Sequence, residues 1–193
     1  MVILVGLGNP GSSYANTRHN AGYMVLDLLA LDHRLEFARS GALCLLASGR
    51  IAGREVLLAK PRTFMNRSGE AVAALHGIHG FAPEDLLAVY DELDLPFGQL
   101  RLRPGGGPGT HNGMRSIVEA LGRQDFPRLK FGIGPGFGDA AEYVLSPFSP
   151  AEADLLPRLL DRAARGVERF LEEGTDRAMG WINPRPEPSG GES

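Results

Sequence analysis

Short unbroken apolar runs alternate along this chain with stretches in which apolar residues recur every three or four positions. The first run, residues 2–5, predicts a strand covered on both faces, since such a strand shows no polar alternation. Gly6 ends it, and a turn-rich loop over 7–19 follows, with Gly8, Pro10 and Gly11. The spacing of Met24, Leu28 and Leu31 predicts a helix over 20–34. Residues 43–47 and 56–59 predict two strands flanking a turn at 49–53. Ala71, Val72, Leu75 and Ile78 form one stripe of a helix over 68–79, and a second buried strand over 86–90 empties into Asp91-Glu92-Leu93-Asp94. Leu100 and Leu102 alternate with Arg101 and Arg103, which predicts a strand over 100–103 with one apolar and one basic face. A Gly-rich loop over 104–113 leads into a short helix over 114–121 with Ile117 and Val118 inward, and residues 129–133 form a further strand. Ser149-Pro150-Ala151-Glu152 is a capping box with proline at the first helical position. Its helix is expected to run to Glu173, kink at Pro157 and stop at Gly174.

Buried strands alternating with helices define an α/β class. The expected architecture is a single-domain three-layer sandwich over residues 1–182, its mostly parallel, twisted mixed sheet carrying helices on both faces. Residues 183–193, rich in Pro, Gly, Ser and Glu, are expected to be a disordered tail. Ligands of such folds bind beyond the carboxyl ends of the strands, which directs attention to the loops after Val5, Ala59, Tyr90, Arg103 and Ile133.

Composition narrows the function. The 193 residues suffice for one core. Cys44, the one cysteine, excludes an intramolecular disulfide and a thiolate metal cluster, and a reducing cytoplasm is expected. The N-terminus has no basic n-region and no apolar stretch is long enough for a membrane span, so neither secretion nor membrane insertion is expected. With 20 bases and 23 acids the net charge is −3, which excludes binding to nucleic acid by charge over the whole surface. The charge is unevenly spread, however. Residues 1–69 carry 8 bases and 4 acids and residues 95–138 carry 6 and 2, while residues 70–94 carry 6 acids and no base. A local basic surface is compatible with that distribution.

The chemistry-bearing residues cluster in the rim loops. Gly6-Leu7-Gly8-Asn9-Pro10-Gly11 matches a dinucleotide fingerprint formally, but Pro10 keeps the chain in a loop where a helix is required, and the acid expected about 20 residues on is missing. His76 and His79 stand three apart without a third ligand, no serine sits in G-x-S-x-G, and Cys44 lies in an apolar run. What remains is His19, Asp91 at the end of a buried strand, and the amides of Asn9, Asn66 and Asn112. A buried carboxylate needs a partner. A histidine across the rim would serve, because an ionised Asp orients an imidazole for proton abstraction. A base, its orienter and neutral amide donors suit attack by water on an acyl carbon.

These residues also carry a resemblance. Gly6-Leu7-Gly8-Asn9-Pro10-Gly11, Tyr14, Thr17-Arg18-His19-Asn20-Ala21-Gly22, residues 60–69, Asp91-Glu92-Leu93-Asp94-Leu95-Pro96 and Thr110-His111-Asn112-Gly113 are similar to the motifs of bacterial peptidyl-tRNA hydrolases, in one order from Val2 to Trp181. The resemblance implies cleavage of the ester joining a peptide to tRNA, recycling tRNA for translation without cofactor or metal. His19 would be the general base, Asp91 its orienter, and Asn66 the holder of the water or acyl oxygen. Asn9 and Asn112 would grip the peptide backbone, Met65 would line the peptide channel, and Tyr14 and His111 would lie near the substrate. Arg101, Arg103 and Lys130 would clamp phosphate of the acceptor stem and 3′ end. A cytoplasmic monomer is expected. The chain departs from the family at Pro108, where a histidine is usual, and at Thr110, which replaces a glycine. Two rivals remain at this point: an RNA-binding scaffold of the same fold that needs no hydrolysis, and a dinucleotide-dependent oxidoreductase resting on the first glycine motif.

Overall fold

The computed structural model describes residues 1–39, 43–136 and 138–183. Strand β1 (Val2–Gly6) is buried along its whole length because it lies inside a seven-stranded sheet covered on both faces. β4 (Arg54–Pro61) and β5 (Leu86–Glu92) flank it in parallel, and β7 (Arg128–Gly132) runs parallel to β5. Outside this centre, β3 (Cys44–Ile51) is antiparallel to β4, β2 (Ala38–Arg39) to β3, and β6 (Leu100–Arg103) to β7. The order is β2-β3-β4-β1-β5-β7-β6.

Alternation along the strands feeds two cores. Ile3, Val5 and Ala88 pack with Val72 and Leu75 of α2 (Ser68–His79) and with Met114 and Ile117 of α3 (Asn112–Leu121). Val2, Leu4, Leu87 and Val89 pack on the other face, with Val25 and Leu29 of α1 (Ala21–Asp32), Val167 and Phe170 of α5 (Pro150–Glu173), and Ala178 and Ile182 of α6 (Thr175–Ile182). The expected three layers are present. The helix α5 begins at the expected capping box, with both reciprocal bonds between Ser149 and Glu152 in place, and continues through Pro157. None of the described helices is long and apolar enough to cross a membrane.

Several local expectations are corrected. The stripe that reveals α1 by its spacing is not its core: Leu31 is 75% exposed, while Ala21, Val25, Leu26, Leu29 and Ala30 are buried. This helix is apolar around most of its circumference, so spacing locates the helix without choosing the face that packs. The turn expected at 49–53 is only Ala52-Gly53, since β3 and β4 pair up to Ile51↔Arg54. Both turn residues have positive φ, 50° and 75°, as a two-residue hairpin requires. Gly49 belongs to β3, where a Cβ would come within 2.3 Å of Leu35 Cδ2. Two helices were not expected: α4 (Ala140–Val144), and α6, which restarts directly after Gly174. Residues 184–193 lie outside the described residues. Asn183, expected in the tail, is instead fixed to the sheet: its side chain accepts from the Leu102 N–H at 2.7 Å and donates to the Leu102 carbonyl at 3.2 Å.

The direction of β6 alters how the site is reached. Arg103 pairs with Arg128, the first residue of β7, so β6 ends level with the amino ends of the parallel strands. The Gly-rich loop therefore starts at the end opposite the expected rim and climbs the height of the sheet, roughly 13 Å for four residues, before α3 begins. Arg128 supports this climb from a buried position, donating to the carbonyls of Gly107 (3.0 Å) and Gln124 (2.9 Å).

Candidate active site

Two loops meet at the carboxyl end of β5. Residues 7–20 leave β1 and return to start α1, and close packing requires a glycine on either side of this loop. A Cβ on Gly6 would sit 2.5 Å from the Gly22 carbonyl oxygen, and one on Gly22 would sit 2.2 Å from that of Val89. Gly6 of the apparent dinucleotide fingerprint, together with Gly22, thus seats α1 against β1 and β5, and Gly8 packs against the Tyr23 ring. The same contacts place His19, in a 3-10 turn (Arg18–Asn20), directly over Asp91.

Asp91 is 1% exposed and holds two imidazoles. His19 Nδ1 lies 3.0 Å from each carboxylate oxygen, and His111 Nε2 lies 3.0 Å from Oδ1. Burial alone would push the Asp91 carboxyl up, but the charge and hydrogen bonds of the two histidines hold it below the usual carboxylate range. An ionised Asp91 accepts the Nδ1–H of His19, which leaves His19 Nε2 with a lone pair at the cleft. His111 is in the opposite position. The backbone N–H of Met114 donates to His111 Nδ1 (3.2 Å), making His111 the N-cap of α3 and placing its proton on Nε2, toward Asp91. Both nitrogens of His111 are therefore engaged, whereas His19 has one free for a substrate proton.

A second network fixes Asn9. Its backbone N–H donates to Asn20 Oδ1 (2.9 Å), its carbonyl accepts from Asn20 Nδ2 (3.0 Å), and its own Oδ1 accepts the Met65 N–H (2.8 Å). With Oδ1 occupied in this way, Asn9 Nδ2 is the atom left to donate to a ligand. Asn20, 2% exposed, sets this orientation. Nothing local in the sequence marks Asn20, because its partner lies eleven residues away across a loop.

Asn9, His19, Asn66, Asp91, His111 and Asn112 all line one cleft of about 760 Å³. Tyr14 and Met65 line it as well, so the eight residues expected at the catalytic and substrate positions are brought together. Asn66 and Asn112 are exposed there. Phe64, not singled out beforehand, stands 55% exposed at the same cleft, its ring edge-on to Tyr14 at 6.4 Å. Thr110 also lines it, and α4 with Leu145 forms an apolar wall. Arg101, Arg103 and Lys130 are elsewhere: cross-strand pairing puts them on one face of β6 and β7, below the cleft. Lys130 is bound to Glu92 Oε2 at 2.5 Å. Cys44 is buried and its thiol is pushed up to about 12 by burial, which leaves it unreactive.

Among the described residues, His19, Asp91 and His111 form the one group whose ligand atoms gather closely enough to hold a metal, within 4.8 Å of one another. The proton positions oppose this. His111 Nε2 and His19 Nδ1 both carry the hydrogens that bind Asp91, so neither presents a lone pair to an ion there.

The fold and site together define an α/β enzyme whose cleft holds a buried carboxylate bonded to two histidines beside side-chain amides. A sequence model of the family described as peptidyl-tRNA hydrolase matches residues 3–189. The chain is 54% identical to a peptidyl-tRNA hydrolase of Chloroflexus aurantiacus, over 95% of this chain and all of that protein. It is 46% identical to one of Mycobacterium tuberculosis, over 94% and 97%. The crystal structure of peptidyl-tRNA hydrolase from Acinetobacter baumannii superposes with a TM-score of 0.89 at 37% identity, over 95% of this chain and 94% of that one. The chain belongs to the peptidyl-tRNA hydrolase family.

Proposed function

We propose that this chain hydrolyses the ester bond of peptidyl-tRNA by direct attack of water, with His19 as general base. The observation that carries this reading is the asymmetry around Asp91: one imidazole is oriented with its Nε2 free at the cleft. His19 Nε2 takes a proton from water as the oxygen attacks the ester carbonyl carbon. The imidazolium, stabilised by Asp91, then returns that proton to the departing ribose oxygen, freeing peptide and tRNA. Asn66, exposed at the cleft, donates to the developing oxyanion, a contact worth about 10²–10³ in rate. Asn9 Nδ2 and the Asn112 amide bind peptide backbone, which every peptide presents whatever its sequence. Met65 lines the peptide channel, and Tyr14 lies near the tRNA terminus.

Arg101, Arg103 and Lys130 contact phosphate of the acceptor stem and 3′ end, and Lys130 exchanges Glu92 for phosphate when tRNA binds. The chain is proposed to act as a monomer, on a substrate that belongs to translation in the cytoplasm. The test is release of N-acetyl-amino acid from N-acetyl-aminoacyl-tRNA, with and without chelator. Wild-type activity is expected to survive chelation. His19→Ala is expected to lose about 10²–10⁴ in kcat while still binding tRNA. Near-wild-type turnover by His19→Ala would remove His19 as the base.

A further inference from the structure

Arg18 is not used in the chemistry above, yet it is 6% exposed and held by groups from one distant segment. Its Nη1 donates to Ser146 Oγ and the Pro147 carbonyl, both at 2.6 Å, and Nη2 pairs with Glu152 Oε2 at 2.6 Å. The guanidinium lies over the Tyr143 ring at 4.3 Å and near Phe148 at 5.5 Å. The backbone follows the same line, with a bridge between Thr17 and Pro147 and a bond from the Arg18 N–H to the Ser146 carbonyl at 3.1 Å. Burying a guanidinium is costly, and here Nε is left without a partner. An apolar side chain would meet the needs of stability at lower cost, so the arrangement points to a requirement for position.

The two things joined are both functional. Arg18 immediately precedes His19. The segment it grips directly follows α4, whose Ala140, Ala141 and Val144, with Leu145, line the same cleft as the amides. On the far side, Glu152 accepts from Arg18 and also from the Ser149 N–H at 2.7 Å, so one carboxylate ties Arg18 to the cap of α5. We infer that Arg18 and Glu152 form a strap that sets the distance between the α4 wall and His19, making Arg18 a positioning residue for substrate binding. This inference rests on the proposed hydrolysis at His19.

Steady-state kinetics on N-acetyl-aminoacyl-tRNA separate this role from general support of the fold. Arg18→Lys keeps the charge but loses the planar fork and its stacking. It is expected to raise KM roughly tenfold, with kcat within about twofold and the pH profile of kcat unmoved. Glu152→Gln can still complete the capping box, so α5 keeps its cap while the ionic tie is lost; KM is expected to rise about threefold. If Arg18→Lys does not fold, Glu152→Gln decides the matter alone. Wild-type KM in the folded variants, or a loss confined to kcat, would overturn the strap. Failure of the base assignment would show differently, as retained turnover by His19→Ala with the KM effects intact.

Discussion

Two loops bring a histidine to Asp91, and they do so with opposite results. The first, residues 7–20, leaves the carboxyl end of β1, turns over its own glycines and presents His19 with one ring nitrogen free. The second, residues 104–111, starts at the other end of the sheet, beside Arg103, and its histidine arrives already engaged at Nδ1 by the Met114 N–H. The rings stand 5.0 Å apart and share one carboxylate, so residue type and burial do not distinguish them. What distinguishes them is the partner of the second nitrogen. His111, with both nitrogens bonded within the protein, has none left for a substrate proton, whereas His19 keeps Nε2 unclaimed at the cleft, which is what its proposed role as base requires.

The sharpest way to break this contrast is to remove what both share. Asp91→Asn replaces an acceptor-only group with one that also donates and so no longer selects the His19 tautomer; kcat is expected to fall about 10²–10⁴. The same variant has a readout in stability. A carboxyl held below its unfolded value stabilises the fold above the ordinary carboxylate range, near pH 4, and that contribution disappears as pH falls through the lower folded value. Chemical denaturation of Asp91→Asn across pH 2–6 should therefore show a flatter acid limb than wild type; an equally steep limb would mean that Asp91 is not held low.

A smaller effect is expected at His111. His111→Asn can still cap α3 through its side-chain oxygen but gives up the bond to Asp91, and kcat should drop about tenfold, well short of the loss at His19. Equal losses at the two histidines would erase the distinction drawn here. The smallest effect on chemistry belongs at the root of the second loop. Arg103→Ala should leave kcat unchanged while weakening tRNA binding and reducing its logarithmic salt slope by about 0.7–0.9. An unaltered slope would remove Arg103 from the phosphate contact.

The parts of this molecule readable from the sequence are those whose cause is local. β1 and β5 announce burial by solid apolar runs, and α5 announces its start by Ser149 and Glu152. The two-residue strand β2 and the five-residue helix α4 are shorter than any periodic signal, and α6 hides behind a glycine that legitimately ends α5. Strand direction leaves no local trace, so the sequence does not reveal that the Gly-rich loop starts at the end of the sheet away from the rim to which it delivers His111. Within the candidate site, the convergence of Asn9, His19, Asn66, Asp91 and Asn112 on one cleft is legible from residue chemistry and resemblance together. The roles of Asn20, Arg18 and Arg128 were not, because each acts through a backbone group or side chain that only the folded chain brings near.

The Asn183 side chain has a consequence for the open edge of the sheet. In an antiparallel edge strand, a residue whose N–H and C=O both point away from its partner strand is an open invitation to another chain. Leu102 is such a residue on β6, and a single amide side chain answers both of its groups. Asn183 behaves as a strand one residue long, closing the sheet where it would otherwise continue into a neighbour. One side chain thus makes Leu102 unavailable for strand addition, at the sheet edge that carries the basic face.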